Sequence, residues 1–333
     1  MNALQRINQD IKTGQFQQIY LLTGEEDYLR NQYKNRLKAA LLGAGDQMNL
    51  NLFQGKEAAP QSIIDMAETM PFLAERRVIV LDNTGLLKGA QEAFAEYLKE
   101  PAETAFFVIS EKEVDKRSRV YKAIRQKGYI CEFKEQDENT LKKWIRQSVA
   151  KENKQIEEKA LALFLNKTGT DMSGIKTEME KLLCYCHKQD AITWKDVEAV
   201  TTERITNRIF DMIRAVAERK QKQALDLYYD LLSLKEPPLR ILALLARQFQ
   251  MLLQVKGLKE KGHDSRYIGE KTGLQPFIAK KYMDQSAGFK TWMLRKAVED
   301  CVQAEEDVKT GKLNDMISVE LLIIKYSSLQ TGN

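Results

Sequence analysis

The chain up to residue 138 alternates short apolar runs with longer amphipathic segments. The apolar runs are rich in Val, Ile, Leu, Phe and Tyr and too short for helices, which is typical of strands. Strands are predicted over residues 19–22, 49–54, 77–81, 105–110 and 129–133. Helices are predicted over residues 27–42, 61–73, 91–100 and 118–127. This alternation predicts an α/β fold, with a parallel sheet covered by helices on both faces.

Strand patterns stop at residue 139, and only helical patterns follow. Helices are predicted over residues 140–151, 157–168, 173–187 and 194–201, and longer ones over 207–220, 221–234, 238–258, 276–285, 290–308 and 313–327. A chain of 333 residues is too long for one ordinary core, so two or three domains are expected. We predict an α/β domain over residues 1–138, a small helical domain over 139–206 and an all-helical domain over 207–333.

Composition and charge are those of a globular protein. The sequence is 43% hydrophobic and 30% charged, and 52 Lys and Arg against 47 Asp and Glu give a net charge of +5. This small excess permits a nucleic-acid partner without requiring one. The first residues lack the apolar segment of a signal peptide, and no apolar run approaches the roughly 18 residues of a membrane span. A cytoplasmic protein is therefore expected.

The four cysteines do not form a recognisable metal site. Cys184, Cys186 and His187 are close in sequence, but residues two apart on a helix point to different faces. No second ligand pair accompanies them, whereas a structural zinc site takes four ligands. Only two histidines are present, His187 and His263, so a histidine-based acid–base site is not expected. No metal and no cofactor is predicted.

A glycine follows the first predicted strand, where nucleotide-binding proteins carry their phosphate-binding loop. That loop reads G-x-x-x-x-G-K-[ST], and its backbone amides and a helix N-terminus point at phosphate. Counting from Gly24, the second glycine, the lysine and the hydroxyl residue are replaced by Leu29, Arg30 and Asn31. The sequence therefore predicts the architecture of a nucleotide-binding domain without tight nucleotide binding.

The segment Met70, Pro71, Phe72 and Leu73 is a second candidate site. Pro71 cannot continue a helix interior, so the helix predicted there should end or turn and present the apolar side chains at a tip. An exposed apolar tip would mark a binding site. The alternative is that these side chains fill the core of their own domain.

Several short segments, in this order and at these separations, resemble the delta subunits of bacterial DNA polymerase III. They are residues 24–29 (GEEDYL), 70–81 (MPFLAERRVIVL), 144–145 (WI), 178–182 (EMEKL), 192–197 (ITWKDV) and 207–210 (NRIF). The resemblance covers nearly the whole chain. It implies an AAA+-like first domain, a helical lid and an all-α collar. It also implies a component of the replisome and of the DNA-directed DNA polymerase (nucleotidyltransferase) holoenzyme, without ATPase activity of its own.

The resemblance further implies partners and contact residues. Delta subunits bind the ring-shaped sliding clamp (beta) through a hydrophobic wedge of pattern M-x-[LF]-[LF], which here matches Met70, Phe72 and Leu73 around Pro71. The wedge would open the ring, or hold it open, so that the ring can be loaded on primed DNA. The collar would join the chain to the other loader subunits, the tau/gamma ATPase and delta prime.

Two other elements of the ATPase relatives are incomplete in this chain. The strand over residues 77–81 ends in Asp82 and Asn83, so the glutamate that polarises water is absent. The Ser-Arg-Cys element that supplies an arginine finger is reduced to Ser118, Arg119 and Val120. Arg119 is therefore interpreted as a solvated helix residue.

Lys309 and Lys312 lie at a turn between two collar helices. By resemblance, this turn would face primer-template DNA, and contacts from lysine to phosphate would be independent of base sequence and sensitive to salt. The alternative is a Lys-rich helix end that is capped by glycine.

Two other functions are open at this point. An active ATPase of the same family would bind ATP tightly and turn it over. A helical DNA-binding protein, with the α/β domain as scaffold, would bind duplex or primer-template DNA tightly without partners. If the chain is a non-catalytic clamp-loader subunit, we expect neither tight ATP binding with turnover nor tight DNA binding without partners. We expect the isolated chain to capture the clamp.

Overall fold

The computed structural model describes residues 3–43, 47–55, 59–89 and 91–328, which divide into two compact units between residues 136 and 137. The strands of the first unit are β1 Ile19–Thr23, β2 Leu50–Gln54, β3 Arg77–Asp82, β4 Ala105–Glu111 and β5 Tyr129–Glu132. They form one sheet in the order β2-β3-β4-β1-β5. Every neighbouring pair is parallel. The predicted parallel sheet is confirmed.

The three central strands, β3, β4 and β1, are buried almost throughout. Alternate residues of a strand point to opposite faces of the sheet, so both faces are covered there. The helices of this unit are α1 Ala3–Thr13, α2 Asp27–Leu42, α3 Pro60–Glu68, α4 Glu92–Tyr97 and α5 Arg119–Lys127, with a short 3₁₀ turn at Leu86–Lys88. Ile19 and Leu21 of β1 pack with α3, α4 and α5. Tyr20 and Leu22 pack with α1 and α2 on the other face. Helices cover both faces, as expected from the fully apolar strands.

Two features of this unit differ from the sequence-based expectation. The helix α1 was not predicted. The helix α3 ends at Glu68 rather than at residue 73, and Thr69 is already extended, with φ −73° and ψ 125°. The physical reason is Pro71, which has no N–H to donate to the Ala67 carbonyl and which disfavours helical backbone at Met70.

The second unit is helical. Its helices are α6 Glu138–Lys151, α7 Glu158–Thr168, α8 Met172–Tyr185, α9 Trp194–Val200, α10 Ile205–Ala217, α11 Gln221–Ser233, α12 Pro238–Glu260, α13 Ser265–Thr272, α14 Pro276–Ser286, α15 Thr291–Lys309 and α16 Asp315–Ser328. The largest core cluster joins α10, α11, α12, α15 and α16 around residues such as Tyr228, Leu252 and Val319. The division between a lid and a collar stays a prediction, and residues 206 and 207 lie near the start of α10.

Two short elements of the second unit escape the sequence pattern. Gln155–Ile156 (β6) pairs in parallel with Ala191–Ile192 (β7), so the expectation that no strand follows residue 139 is wrong. Strands of two residues are too short to produce an alternating pattern. The eight-residue helix α13 was also not predicted. No helix in the described residues is long and apolar enough to cross a lipid bilayer.

Candidate functional site

The loop between α3 and β3 carries the apolar segment at its start. The exposed fractions of Met70, Phe72 and Leu73 are 80%, 60% and 92%, and Pro71 is half-buried. These side chains do not fill the core of their domain, which removes the alternative interpretation. They lie on a loop, rather than at the helix tip that the sequence predicts. We call residues 69–73 the apolar loop.

The buried side chain of Asn49, just before β2, holds the apolar loop by its backbone. The Phe72 N–H donates to Asn49 Oδ1 at 2.6 Å, and Asn49 Nδ2 donates to the Phe72 carbonyl at 2.9 Å. An amide side chain can satisfy both groups of one peptide backbone because it has a donor and an acceptor side by side. Asn49 is fully buried, while most of Phe72 is exposed.

Arg77, the first residue of β3, holds the same loop from a second point. Its Nε donates to the Thr69 carbonyl at 2.8 Å, and its Nη2 donates to the Met70 carbonyl at 2.9 Å. Its Nη1 donates to Asn51 Oδ1 on β2 at 3.0 Å. The guanidinium is buried, and its forked N–H groups donate to these three carbonyl oxygens. Asn49 and Arg77 were not among the site residues predicted from the sequence.

The backbone at Leu73 is in the left-handed region, with φ +49°. This conformation is an outlier for a bulky side chain, and it costs about 1–2 kcal/mol in a residue that carries a Cβ. Such strain persists only where the surrounding contacts determine the backbone, and it clusters at functional positions. Here it directs a leucine side chain into solvent.

Two backbone amides of the loop after β1 already donate to carbonyls of the protein. The Gly24 N–H donates to the Lys112 carbonyl at 3.2 Å, and the Glu26 N–H donates to the Phe133 carbonyl at 3.1 Å. Gly24 has φ +119°, and a Cβ at this position would collide with the Phe133 carbonyl oxygen. The glycine is therefore required by the neighbouring chain.

Arg30, at the lysine position of the degenerate loop, is turned inward and buried. Its Nη1 donates to the Gly24 carbonyl at 2.5 Å and its Nε to Ser110 Oγ at 3.2 Å. Its Nη2 lies 2.7 Å from Asp27 Oδ1. The guanidinium is thus bonded to the loop itself, where a working lysine would extend toward phosphate.

The carboxylate that would serve a magnesium ion is bound to a lysine. Lys34 Nζ lies 2.5 Å from Asp82 Oδ2, and both side chains are largely buried. Lys34 also donates to Asn31 Oδ1 at 2.8 Å, and Asn83 Nδ2 donates to Asp82 Oδ1 at 3.1 Å. The charges that a nucleotide site would direct at Mg²⁺ and phosphate are neutralised within the protein.

The remaining candidate cations are exposed and paired with nearby acids. Lys309 Nζ lies 2.5 Å from Glu305, one helical turn back, and Lys312 Nζ lies 3.9 Å from Asp307. Arg119 Nη1 lies 2.7 Å from Glu92. Exposed pairs of this kind contribute roughly 0–1 kcal/mol, so they would not prevent lysine from contacting phosphate.

Cys184 and Cys186 differ in environment. Cys184 is exposed and Cys186 is buried. Burial, helped by the charge of Asp196, raises the pKa of the Cys186 thiol, whereas metal binding needs a thiolate. Across the described ranges of the chain, no three His, Cys, Asp or Glu residues are grouped so that they could hold a metal ion.

Comparison with known proteins gives a consistent result along the chain. A family model described as DNA polymerase III, delta subunit, matches residues 20–134, and its C-terminal-domain counterpart matches residues 206–326. The DNA polymerase III subunit delta of Bacillus subtilis is 28% identical, over 95% of this chain and 94% of its own. A probable DNA polymerase III subunit delta of Aquifex aeolicus is 23% identical, over 85% of this chain and 82% of its own.

Comparison with solved structures gives a match over the whole chain. The Bacillus subtilis DNA clamp loader delta protein superposes with a TM-score of 0.75 at 27% identity. The match covers 98% of this chain and 100% of that one. The α/β unit and the helical unit are therefore both parts of this fold.

Glycine is normally less stabilising than alanine, but the left-handed backbone at Leu73 predicts the reverse order for the glycine and alanine variants of this residue. Leu73→Gly relieves the left-handed strain, and this gain exceeds the added flexibility of glycine in the unfolded chain. We expect Leu73→Gly to be more stable than Leu73→Ala by about 0.5–1 kcal/mol in urea unfolding. If the Leu73→Gly variant is instead less stable than the Leu73→Ala variant, the backbone of residue 73 is not left-handed in solution.

The occupied amides of the degenerate loop predict that Arg30→Lys will not create a nucleotide site. Leu29 and Asn83 would remain, and Gly24 and Glu26 would still donate to protein carbonyls. Isothermal titration of the unaltered chain and of Arg30→Lys with ATP and Mg²⁺ should detect no tight binding. Low-micromolar affinity in either protein would contradict this interpretation of the loop.

Proposed function

Because the chain belongs to the family of DNA polymerase III delta subunits, we propose that it binds the sliding clamp through Met70, Phe72 and Leu73. In this proposal the chain opens one interface of the ring, or holds it open, while the ring is loaded on primed DNA. It does so without hydrolysing ATP itself.

The exposure of the apolar loop is the observation that supports this proposal. Single apolar side chains are common on protein surfaces, but three large ones within four residues, each more than half exposed, are typical of a binding site. Protein interfaces draw most of their affinity from a few side chains of this kind, which enter pockets on the partner. A hydrophobic pocket of the clamp is the partner surface that fits them.

Ring opening then follows from differential binding. A closed ring and a ring with one open interface are two states of the clamp, and a protein that binds the open state more tightly shifts the population toward it. The shift is limited by the difference between the two affinities. In this proposal, opening the ring needs no ATP hydrolysis by this subunit. ATP bound by the neighbouring loader subunits would control access to the apolar loop.

The two alternative functions have less support. An ATPase would need free amides in the loop after β1, and the amides of Gly24 and Glu26 already donate within the protein. An independent DNA-binding protein would need a strongly cationic surface, whereas 52 Lys and Arg against 47 Asp and Glu leave a net charge of only +5. In the proposed function Lys309 and Lys312 contact primer-template DNA only in the assembled complex, together with the other subunits.

The helical unit has an exposed apolar stripe on α16. Ile317, Leu321 and Ile324 are spaced four and three residues apart, so they share one face of the helix, and each is more than a third exposed. This stripe supports the proposal that the collar packs against neighbouring loader subunits, the tau/gamma ATPase and delta prime.

The clamp-binding proposal predicts a large effect of Phe72→Ala combined with Leu73→Ala. Each truncated anchor should cost about 2 kcal/mol or more of binding free energy, which is roughly a thirty-fold loss of affinity. The free energy of unfolding should change little because both side chains are exposed, whereas truncating a buried aromatic costs about 3–5 kcal/mol. Affinity for the purified clamp can be measured by surface plasmon resonance, and stability by urea unfolding.

Val302→Ala is the matched control for this double variant, since Val302 is an exposed apolar residue of the helical unit. It should bind the clamp normally. Normal clamp binding by the double variant would place the contact elsewhere, and the half-buried Arg76 would be tested next. A large fall in the free energy of unfolding, with clamp binding retained, would mean that these side chains pack in the core in solution.

The stripe on α16 predicts that Leu321→Asp blocks assembly of the loader. A buried unpaired carboxylate in a subunit interface is strongly unfavourable. The variant should fail to co-purify with the tau/gamma and delta prime subunits in size-exclusion chromatography, while it still binds the clamp. Tyr185→Asp, at another exposed site, is the control and should assemble normally. Normal assembly of Leu321→Asp would remove α16 from the interface.

A further inference from the structure

We propose that Asn49 and Arg77 are positioning residues for clamp binding, which hold the apolar loop in its binding conformation before the clamp arrives. This inference rests on the proposed function. Neither side chain would contact the clamp, since both are buried beneath the loop. They would act through the backbone of the residues that do.

The apolar loop lacks the usual source of order. A loop is normally fixed when its apolar side chains pack into the core, but Met70, Phe72 and Leu73 point into solvent. What fixes this loop is its backbone. The carbonyls of Thr69 and Met70 accept from Arg77, and both backbone groups of Phe72 bond to Asn49.

The two holding residues are themselves anchored to the sheet. The Asn49 carbonyl accepts from the Val78 N–H at 2.8 Å, which ties it to the start of β3. The Arg77 N–H donates to the Thr104 carbonyl at 2.8 Å, beside the start of β4. Arg77 also bonds to Asn51 of β2. The loop is thus connected to three adjacent strands at the amino end of the sheet.

Preorganisation has a direct effect on affinity. A loop that is mobile in the free chain must be ordered when it binds, and ordering backbone residues is unfavourable. Side-chain anchors contribute fully only if the backbone already directs them at the partner. The left-handed backbone of Leu73 belongs to this fixed loop conformation, because a strained residue of this kind persists only where the surrounding contacts determine the backbone. Loss of the hydrogen bonds from Asn49 should therefore weaken clamp binding while all apolar anchors remain.

Asn49→Leu is the main test because it keeps the approximate size of the side chain and removes both hydrogen bonds to Phe72. We expect at least an approximately tenfold loss of clamp affinity, which corresponds to about 1.4 kcal/mol. Hydrogen exchange of the Phe72 amide should accelerate. The Val78 amide is an internal control, since its bond to the Asn49 carbonyl uses the backbone and should stay protected.

Two further variants keep the test valid if Asn49→Leu is poorly folded. Asn49→Asp retains the acceptor for the Phe72 N–H and loses the donor, and Arg77→Lys retains the charge and loses the forked contact with two carbonyls. Both should reduce affinity and accelerate exchange in the loop. Thr84→Val is the matched control for general destabilisation. It removes a buried hydrogen bond, from Thr84 to Glu111 at 2.8 Å, beyond the carboxyl end of β3. Its clamp affinity should be unchanged.

The outcomes separate this inference from the proposed function. Wild-type affinity in Phe72→Ala with Leu73→Ala would contradict the proposed function itself. Loss of affinity in that double variant, together with wild-type affinity in folded Asn49 and Arg77 variants, would overturn the positioning role alone. The same conclusion would follow if Thr84→Val weakened binding as much as Asn49→Asp, or if the Phe72 amide stayed protected in Asn49→Leu.

Discussion

Buried polar groups at the two ends of the parallel sheet must all be paired, and this requirement determines how both candidate sites are built. A buried donor or acceptor without a partner costs about 1–3 kcal/mol, and more if it is charged. At the carboxyl end, Arg30 and Lys34 satisfy the Gly24 carbonyl and Asp82. At the amino end, Arg77 and Asn49 satisfy the backbone of the apolar loop. Pairing of buried polar groups therefore occupies the residues of the degenerate nucleotide loop at one end and fixes the backbone of the apolar loop at the other.

The two ends of the sheet therefore differ in which groups they leave available for binding. At the carboxyl end, the side chains at the positions of the nucleotide-binding residues bond to the protein, and the Gly24 and Glu26 amides donate to protein carbonyls. At the amino end, polar side chains bond inward so that apolar ones remain outside. An exposed apolar loop with a fixed backbone fits the proposed function, in which this chain would contribute binding free energy and neighbouring subunits would supply the nucleotide chemistry.

The sequence was sufficient for the sheet, since its central strands are apolar runs, and for the degenerate nucleotide loop, since the missing residues can be counted from Gly24. It was also sufficient to locate the apolar segment around Pro71. It did not reveal the roles of Asn49 or Arg77, because Asn49 lies 23 residues from Phe72 and a side-chain contact with a distant backbone has no periodic pattern. The inward turn of Arg30 likewise depends on Ser110, which reaches it only through the fold.

The most direct test of the account is the structure of the chain bound to the sliding clamp. We expect Met70, Phe72 and Leu73 to fill a hydrophobic pocket of the clamp. The backbone of residues 69–73 and its hydrogen bonds to Asn49 and Arg77 should be the same as in the free chain. A complex in which residues 69–73 lie outside the interface would contradict the account. So would a complex in which the loop binds only after these hydrogen bonds break.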